Sequence, residues 1–359
     1  MAGATHEPNV DIDVTLAPSA APVAGFGNTL LLVPLATNRL NGLRVASYAS
    51  YDEMLTARTA GYISATTLQA GLVAFAQRPK IDRFKVGYVD LVAVETYSTA
   101  LAACIAYDSD FYGVVADTRV AATITALGAT IEASSKRMVY IPQNASSTWL
   151  TNALPAGITG DRERTGFVYH SADTAWNDVA WTVNRLSFNP DNVSAPWNGC
   201  TLAEVAAITP ITDAQRDFVI GNDCNLGLPC GGEDFVMDPG VNSAGRPLYE
   251  IVSTDWFAIR LRERIGALVV ARANNGQKVP VSSLGQNLVL GVIQGLYDQA
   301  VAVGHFIAPD EDDLPIVAET ITDADRSART LRFTVRAQIA VGARLFTFNV
   351  YASTDALSA

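Results

Sequence analysis

Val10-Asp11-Ile12-Asp13-Val14-Thr15-Leu16 alternates apolar with acidic or polar residues. A period of two marks a β-strand that buries one face and exposes the other. The strand is followed by a stiff spacer, Ala17-Pro18-Ser19-Ala20-Ala21-Pro22, that ends at Gly25-Phe26-Gly27. The far end of the chain has the same character. Residues 331–339 and 345–351 alternate likewise and are separated by Val341-Gly342-Ala343. Strands with no partner of their own satisfy their backbone by joining the sheet edge of another molecule. Residues 1–24 and 343–359 are therefore read as exchange arms. Val10, Ile12, Val14 and Leu16 at one end, and Leu345, Phe346, Phe348, Val350 and Tyr351 at the other, are placed in strands between subunits. The pattern predicts a chain knitted to copies of itself.

A length of 359 residues predicts two domains, and a hydrophobic content of 49% supplies large cores. The net charge of −11 argues against a nucleic-acid partner, because phosphate binding needs a surplus of Lys and Arg. The acidic balance suits solubility at high concentration. No basic flank with a long apolar run marks a signal peptide, and no apolar run approaches the roughly 20 residues that cross a bilayer. The expectation is synthesis and folding in a cytoplasm, with no membrane insertion.

Apolar strand-like runs at 30–33, 84–89, 111–115, 138–141 and 166–169 alternate with helical patterns at 67–76, 96–105, 120–133 and 176–186. Continuous apolar strands alternating with helices predict an α/β layer with a largely parallel sheet over residues 25–198. The second half, 199–342, reads as α+β. Loops and short strands are expected over 221–247, then a long helix at 255–273 with Phe257, Leu261, Ile265 and Leu268 as its stripe. A second helix follows from Ser282 or Ser283 to about 303, with Leu284, Leu288, Val292 and Leu296 as its stripe. Gly291 and Gly295 within it are read as permitting close helix contact.

Catalytic signals are absent. The Gly25-Phe26-Gly27 cluster precedes a strand and cannot present helix amides to a phosphate, and no GxxxxGK[ST] or GxSxG occurs. Asp310-Glu311-Asp312-Asp313 lacks calcium-loop spacing. Asp161-Arg162-Glu163-Arg164 reads as a solvated turn before a strand. His170 is the one candidate general base, but with no identifiable nucleophile or carboxylate partner it reads as the polar cap of a strand. No cofactor or metal is expected, since a CxxC pair is missing and His6, His170 and His305 lie in unrelated contexts. Cys104 sits in an apolar run as a buried thiol. Cys200, Cys224 and Cys230 lie among Gly, Asn, Asp and Pro, where packing offers them little. Inert thiols and disulfides both remain open for these three, with an intersubunit bond as the sharper expectation. Arg260, Arg262, Arg264 and Arg272 cluster on the long helix, and Arg329, Arg332, Arg336 and Arg344 on the terminal strands. These read either as solvated faces or as a basic surface meeting an acidic partner.

In two blocks the sequence resembles the contractile tail sheaths of myovirus-like bacteriophages, a compact sheath family related to the sheaths of R-type pyocins. One block is the 10–16 strand with Gly25-Phe26-Gly27-Asn28-Thr29-Leu30-Leu31-Leu32-Val33. The other joins Ser253-Thr254-Asp255-Trp256-Phe257, Lys278-Val279-Pro280, Ile307-Ala308-Pro309-Asp310 and Asp325-Arg326-Ser327-Ala328-Arg329 to the terminal strands. Together the blocks cover less than half of the chain. The resemblance implies a non-enzymatic virion subunit, with an outer α/β domain, an inner sheath domain and strand arms exchanged between neighbours. It implies six-fold stacked rings around an inner tail tube, baseplate and tail-terminator partners, and assembly in the host cytoplasm before genome ejection. It further implies that the cluster of Arg260, Arg262 and Arg264 faces the tube. Two rival readings are an α/β enzyme with swapped termini and a non-contractile virion component.

Overall fold

The computed structural model describes residues 25–36, 39–150, 162–230, 232–309 and 315–340. The arm strands at 10–16 and 345–351 lie outside them. The chain enters through β1 (Thr29–Leu35), β2 (Val45–Tyr48), α1 (Tyr51–Thr59) and α2 (Ala65–Ala76). It continues through β3 (Phe84–Asp90), α3 (Tyr97–Tyr107), β4 (Gly113–Ala116), α4 (Ala121–Glu132) and β5 (Val139–Tyr140). The five strands form one sheet in the order β2-β3-β1-β4-β5. β1 runs parallel to both β3 and β4, and only the edge strand β2 is antiparallel. Leu30, Leu31, Leu32 and Val33 are all buried, as a strand covered on both faces requires. A Cβ on Gly87 would meet Cys104 of α3, so this glycine lets α3 settle onto β3.

A second sheet contains β6 (Gln143–Asn144), β7 (Val168–Tyr169), β8 (Asn225–Cys230) and β9 (Glu233–Asp238), paired in that order. It joins strands from either side of residue 198, where the sequence changes character. Between β7 and β8 run α5 (Asn177–Leu186), which packs on β1, β4 and α2, and α6 (Asp213–Gly221), closed by a Thr212–Gln215 capping box.

The last part is a helical hairpin of α7 (Leu248–Asn274) and α8 (Ser283–Ala302), followed by β10 (Ile316–Ala318), α9 (Asp323–Ala328) and β11 (Phe333–Val335). α7 has 27 residues and starts seven residues before the sequence pattern suggests. Asp255 is thus interior to the helix, among Leu248, Ile251, Trp256, Phe257, Leu261 and Ile265, all buried. The buried stripe of α8 is Gly285, Val289, Ile293, Leu296, Tyr297 and Ala300, while Leu284 is 59% exposed. The stripe expected from Leu284, Leu288 and Val292 is therefore rotated, and only Leu296 of that set is fully buried. The glycine that permits close approach is Gly285, where a Cβ would sit 1.8 Å from the Pro280 carbonyl oxygen. Gly291 and Gly295 face open space, which corrects their reading as contact residues. Among the described residues no helix is long and apolar enough to cross a membrane.

Candidate assembly interface

The described residues begin at Gly25 and end at Ala340, and the segments next to both points are fastened to one stretch of α7. On the N-terminal side, Phe26 is buried with its ring 4.8 Å from that of Tyr112, and the Arg260 guanidinium lies 5.7 Å from its centroid. Asn28 donates to Asp110 Oδ2 at 2.9 Å, closing the turn that precedes β1. On the C-terminal side, Ile339 bridges Phe306, and Ala340 N donates to His305 O at 3.0 Å. Phe306 packs 5.0 Å from Phe257, and His305 stacks on Trp256 at 4.4 Å.

The stretch itself is held by two polar centres, the first fully buried and the second half-buried. In the first, Asp255 is fully buried and accepts four hydrogen bonds. Arg137 Nη1 donates at 2.7 Å, Arg164 Nη1 and Nη2 at 2.5 and 2.8 Å, and the Tyr112 hydroxyl at 2.9 Å. Burial, reinforced by the Asp255 charge, pushes the Tyr112 phenol well above its ordinary pKa, so it stays a donor. In the second, Asp191 receives Trp256 Nε1 at 2.8 Å and a bidentate fork from Arg260 at 2.8 and 2.7 Å. Burial works against the Asp191 carboxylate, yet the bonds from Arg260 and Trp256 outweigh it and lower its pKa. His305 Nε2 donates to Pro190 O at 2.7 Å, and Nδ1 lies 2.7 Å from Ser253 Oγ. Burial lowers its pKa.

Arg164 thus corrects the reading of residues 161–164 as a solvated turn. Its side chain is 16% exposed, and Arg162 donates to Thr125 O at 2.8 Å. No short motif signals this pairing, because Arg164 and Asp255 are 91 residues apart. The expected basic cluster is also redistributed. Arg260 is turned into Asp191 and Glu263, and Arg264 bonds Gln299, while Arg262 is exposed. The three arginines do not form one free basic face. His170 is buried, accepting from Ala172 N at 3.0 Å and reaching Ala206 O at 2.9 Å, which ties a strand end to a loop.

Cys104, Cys200, Cys224 and Cys230 are all free thiols. Cys200 and Cys224 are buried in the core, contrary to the expectation that packing offers them little, and burial raises the Cys224 thiol to about 12. Only Cys230, beside the β8–β9 turn, is exposed. Among the described residues no group of His, Cys, Asp and Glu is arranged to hold a metal ion.

The last element among the described residues is a two-stranded antiparallel sheet. β11 pairs with β10 through Val335–Ile316, Thr334–Val317 and Phe333–Ala318. Glu319 N donates to Arg332 O and Arg336 N to Pro315 O, while Ile307 N donates to Gln338 O. The even-numbered residues therefore turn their backbone toward β10 and residue 307. The backbone groups of Phe333, Val335 and Ala337 point to the opposite edge, where no described strand pairs with them. Side chains alternate with the same period. Val335, Ala337 and Ile339 are buried, whereas Arg332, Thr334, Arg336 and Gln338 are exposed.

The fold is that of contractile sheath subunits, a mixed α/β architecture. It is similar to a chain of the anti-feeding prophage baseplate at TM-score 0.68, 12% identity, covering 98% of this chain and 100% of that one. A chain of the anti-feeding prophage helical sheath in its contracted state matches at TM-score 0.64, 14% identity, over 97% of this chain and 100% of that one. The sheath tail protein of Listeria innocua matches at TM-score 0.59, 9% identity, over 87% and 92%. No family model matches the sequence, and no curated relative is found.

Proposed function

We propose that this chain is the structural subunit of a contractile sheath, the outer cylinder of a phage tail or of a tail-like injection device. The observation that carries the reading is the fit of nearly the whole chain to a sheath subunit in the contracted state. The attachment of both ends of the described chain to one stretch of α7, and the edge of β11 that no described strand pairs, support it, since both are what a strand-exchanging lattice needs. In this reading residues 25–198 form the outer domain, 199–342 the inner lattice-forming domain, and the 10–16 and 345–351 strands complete sheets of neighbouring copies. Copies stack as six-fold rings around an inner tube and end at a baseplate and a terminator. Arg262, the exposed member of its cluster, is the residue offered to the tube. An exposed ion pair there contributes roughly 0–1 kcal/mol, weak enough for the sheath to let go as it moves.

The work comes from subunit contacts and not from a bound nucleotide. The extended cylinder is metastable, and contraction follows from extra contact made in the shortened state. Electron microscopy of the purified full-length protein tests the reading. Tubes, stacked rings or polysheath are the expected result. Discrete, non-polymerising particles at high concentration overturn it.

A further inference from the structure

We infer that two copies of this chain meet head to tail through the five-stranded sheet, with the apolar loop 91–94 of one copy seated on the basic loop 78–83 of the next. The inference rests on the sheath reading above and names a contact that the arms do not make. β3 separates the two surfaces. It runs from Phe84 to Asp90, so the basic loop lies at its start and the apolar loop at its end. Its seven residues hold the loops roughly 23 Å apart, too far for one copy to close the contact on itself.

Leu91, Val92 and Val94 are 53%, 68% and 85% exposed, and Val120, past the end of β4 on the same edge of the sheet, is 61% exposed. Their exposed apolar surface is on the order of 400 Å², the size of patch that on a monomer often marks a contact site. The loop is built to hold these side chains out. Asp90 Oδ1 accepts from Val92 N at 2.9 Å and Ala93 N at 3.0 Å, and Glu95 N donates to Asp90 O at 2.9 Å. Val94 has φ 53°, a left-handed backbone that a β-branched residue adopts only under strain. A glycine would remove that strain, and the exposed Val94 side chain gains little from its own subunit in return. Its return comes from a contact made in the assembly.

Charge selects the occupant. Asp90 and Glu95 rim the apolar loop, and Asp117 is tied to it through its carbonyl, which accepts from the Tyr97 hydroxyl at 2.5 Å. The two arginines nearby are already taken, Arg44 by Glu95 at 2.8 Å and Arg119 by Asp178 at 2.9 Å, so the rim is net negative. At the other end of β3, Arg78, Lys80 and Arg83 are exposed and outnumber the single acid among them, Asp82. Lys80 and Arg83 have no ion pair among the described residues. Tyr107, 55% exposed, lies at the same end of the sheet beside Asp108, which Lys85 binds at 2.7 Å. Its ring and the aliphatic stems of the basic side chains offer apolar surface beneath a positive rim. Like ends meeting would set acid against acid in a chain of net charge −11, whereas a head-to-tail match opposes the signs. A contact between two different surfaces leaves a free end on every pair and so repeats into an open helical array.

The test uses the full-length chain in four forms: Val94→Gly, Val92→Lys, Lys80→Glu/Arg83→Glu, and Val92→Lys combined with that loop reversal. Thermal unfolding of the unassembled subunits reads the fold, and the protein concentration at which tubes appear reads the contact. Val94→Gly is expected to keep or raise the thermal midpoint while raising the tube-forming concentration about threefold or more, which a loop serving only the fold would not do. Val92→Lys and the loop reversal should each raise that concentration about tenfold, and their combination should bring it back within about threefold of the parent. The control replaces Val92→Lys in the combination with Leu55→Lys, at an exposed leucine of α1, and should give no recovery. Single variants that assemble like the parent overturn the contact, as does a combination that gains nothing. Equal recovery from the control overturns it by assigning the effect to net charge, and a lowered midpoint for Val94→Gly overturns it by assigning Val94 to the fold. If the parent builds no tubes, the sheath reading itself fails. If the parent and every variant build them alike, only this contact fails.

Discussion

Replacing Asp255 with alanine should destabilise the subunit strongly. The carboxylate is fully buried, and its removal strands Arg164, whose side chain is 16% exposed, and releases the more exposed Arg137. Removing one partner of a buried ion pair costs about 3–5 kcal/mol, because the remaining charge stays desolvated. A chain of 359 residues has an unfolding entropy of roughly 0.75 kcal/mol/K, so the thermal midpoint should fall by about 4–7 °C. Tyr112→Phe removes one neutral donor and leaves the carboxylate with both arginines, so its loss should be nearer 1 kcal/mol, or about 1–2 °C. The paired change Asp255→Leu/Arg164→Met replaces both charges with apolar groups and should recover most of the lost stability. Thermal unfolding of the unassembled subunit, followed by far-ultraviolet circular dichroism, reads all three. A midpoint for Asp255→Ala within about 1 °C of the parent would refute the reasoning, and so would a Tyr112→Phe loss as large as that of Asp255→Ala.

Three further outcomes are expected. Deleting residues 1–20 should leave a soluble, folded subunit that does not build tubes, measured by circular dichroism and electron microscopy; normal tubes would count against strand exchange. In the folded subunit a thiol reagent should label Cys230 alone, with Cys104, Cys200 and Cys224 reacting only after denaturation, as mass spectrometry would show. An intersubunit disulfide, if the mature particle has one, should then appear as a reductant-sensitive dimer that Cys230→Ser abolishes. Stability should also decline in acid through His305. Its pKa is lowered in the folded state from the ordinary 6.5, so the unfolded chain binds the proton first, and stability present above about pH 6.5 is lost as pH falls below it. His305→Gln should flatten that part of the pH profile in urea titrations, and an unchanged slope would reject the assignment.

The parallel sheet was legible because its strands are buried on both faces and so read as unbroken apolar runs, as in Leu30 to Val33. β2 and α1 escaped, since α1 buries only Met54 and Ala57 and shows no stripe. The start of α7 was hidden because Asp255 looks like a first-turn acid, a common N-terminal signal, when it is the hub of a buried ion network. Periodicity also placed the stripe of α8 on the wrong residues. Leucines at 284 and 288 weigh heavily in a hydrophobic pattern, but Leu284 is 59% exposed and Gly285 makes the close contact. Cys200 and Cys224 misled for a related reason: polar neighbours in sequence do not prevent a loop residue from pointing into a core. The alternation of 331–339 shows in its exposure pattern, but only Phe333–Val335 is strand, and it pairs with β10 of the same chain, which corrects the reading of the terminal strands as having no partner of their own.

If neighbouring copies pull on the two arms, the attachment of both roots to one stretch of α7 defines a short load path. Tension arriving at Gly25 passes through Phe26 to Tyr112 and Arg260, and leaves through Trp256, His305 and the Phe306–Ile339 bridge. The helical segment between Trp256 and Arg260 is about 6 Å long. The root at Gly25 also continues through the backbone into β1, the central strand of the five-stranded sheet, so that sheet shares the load.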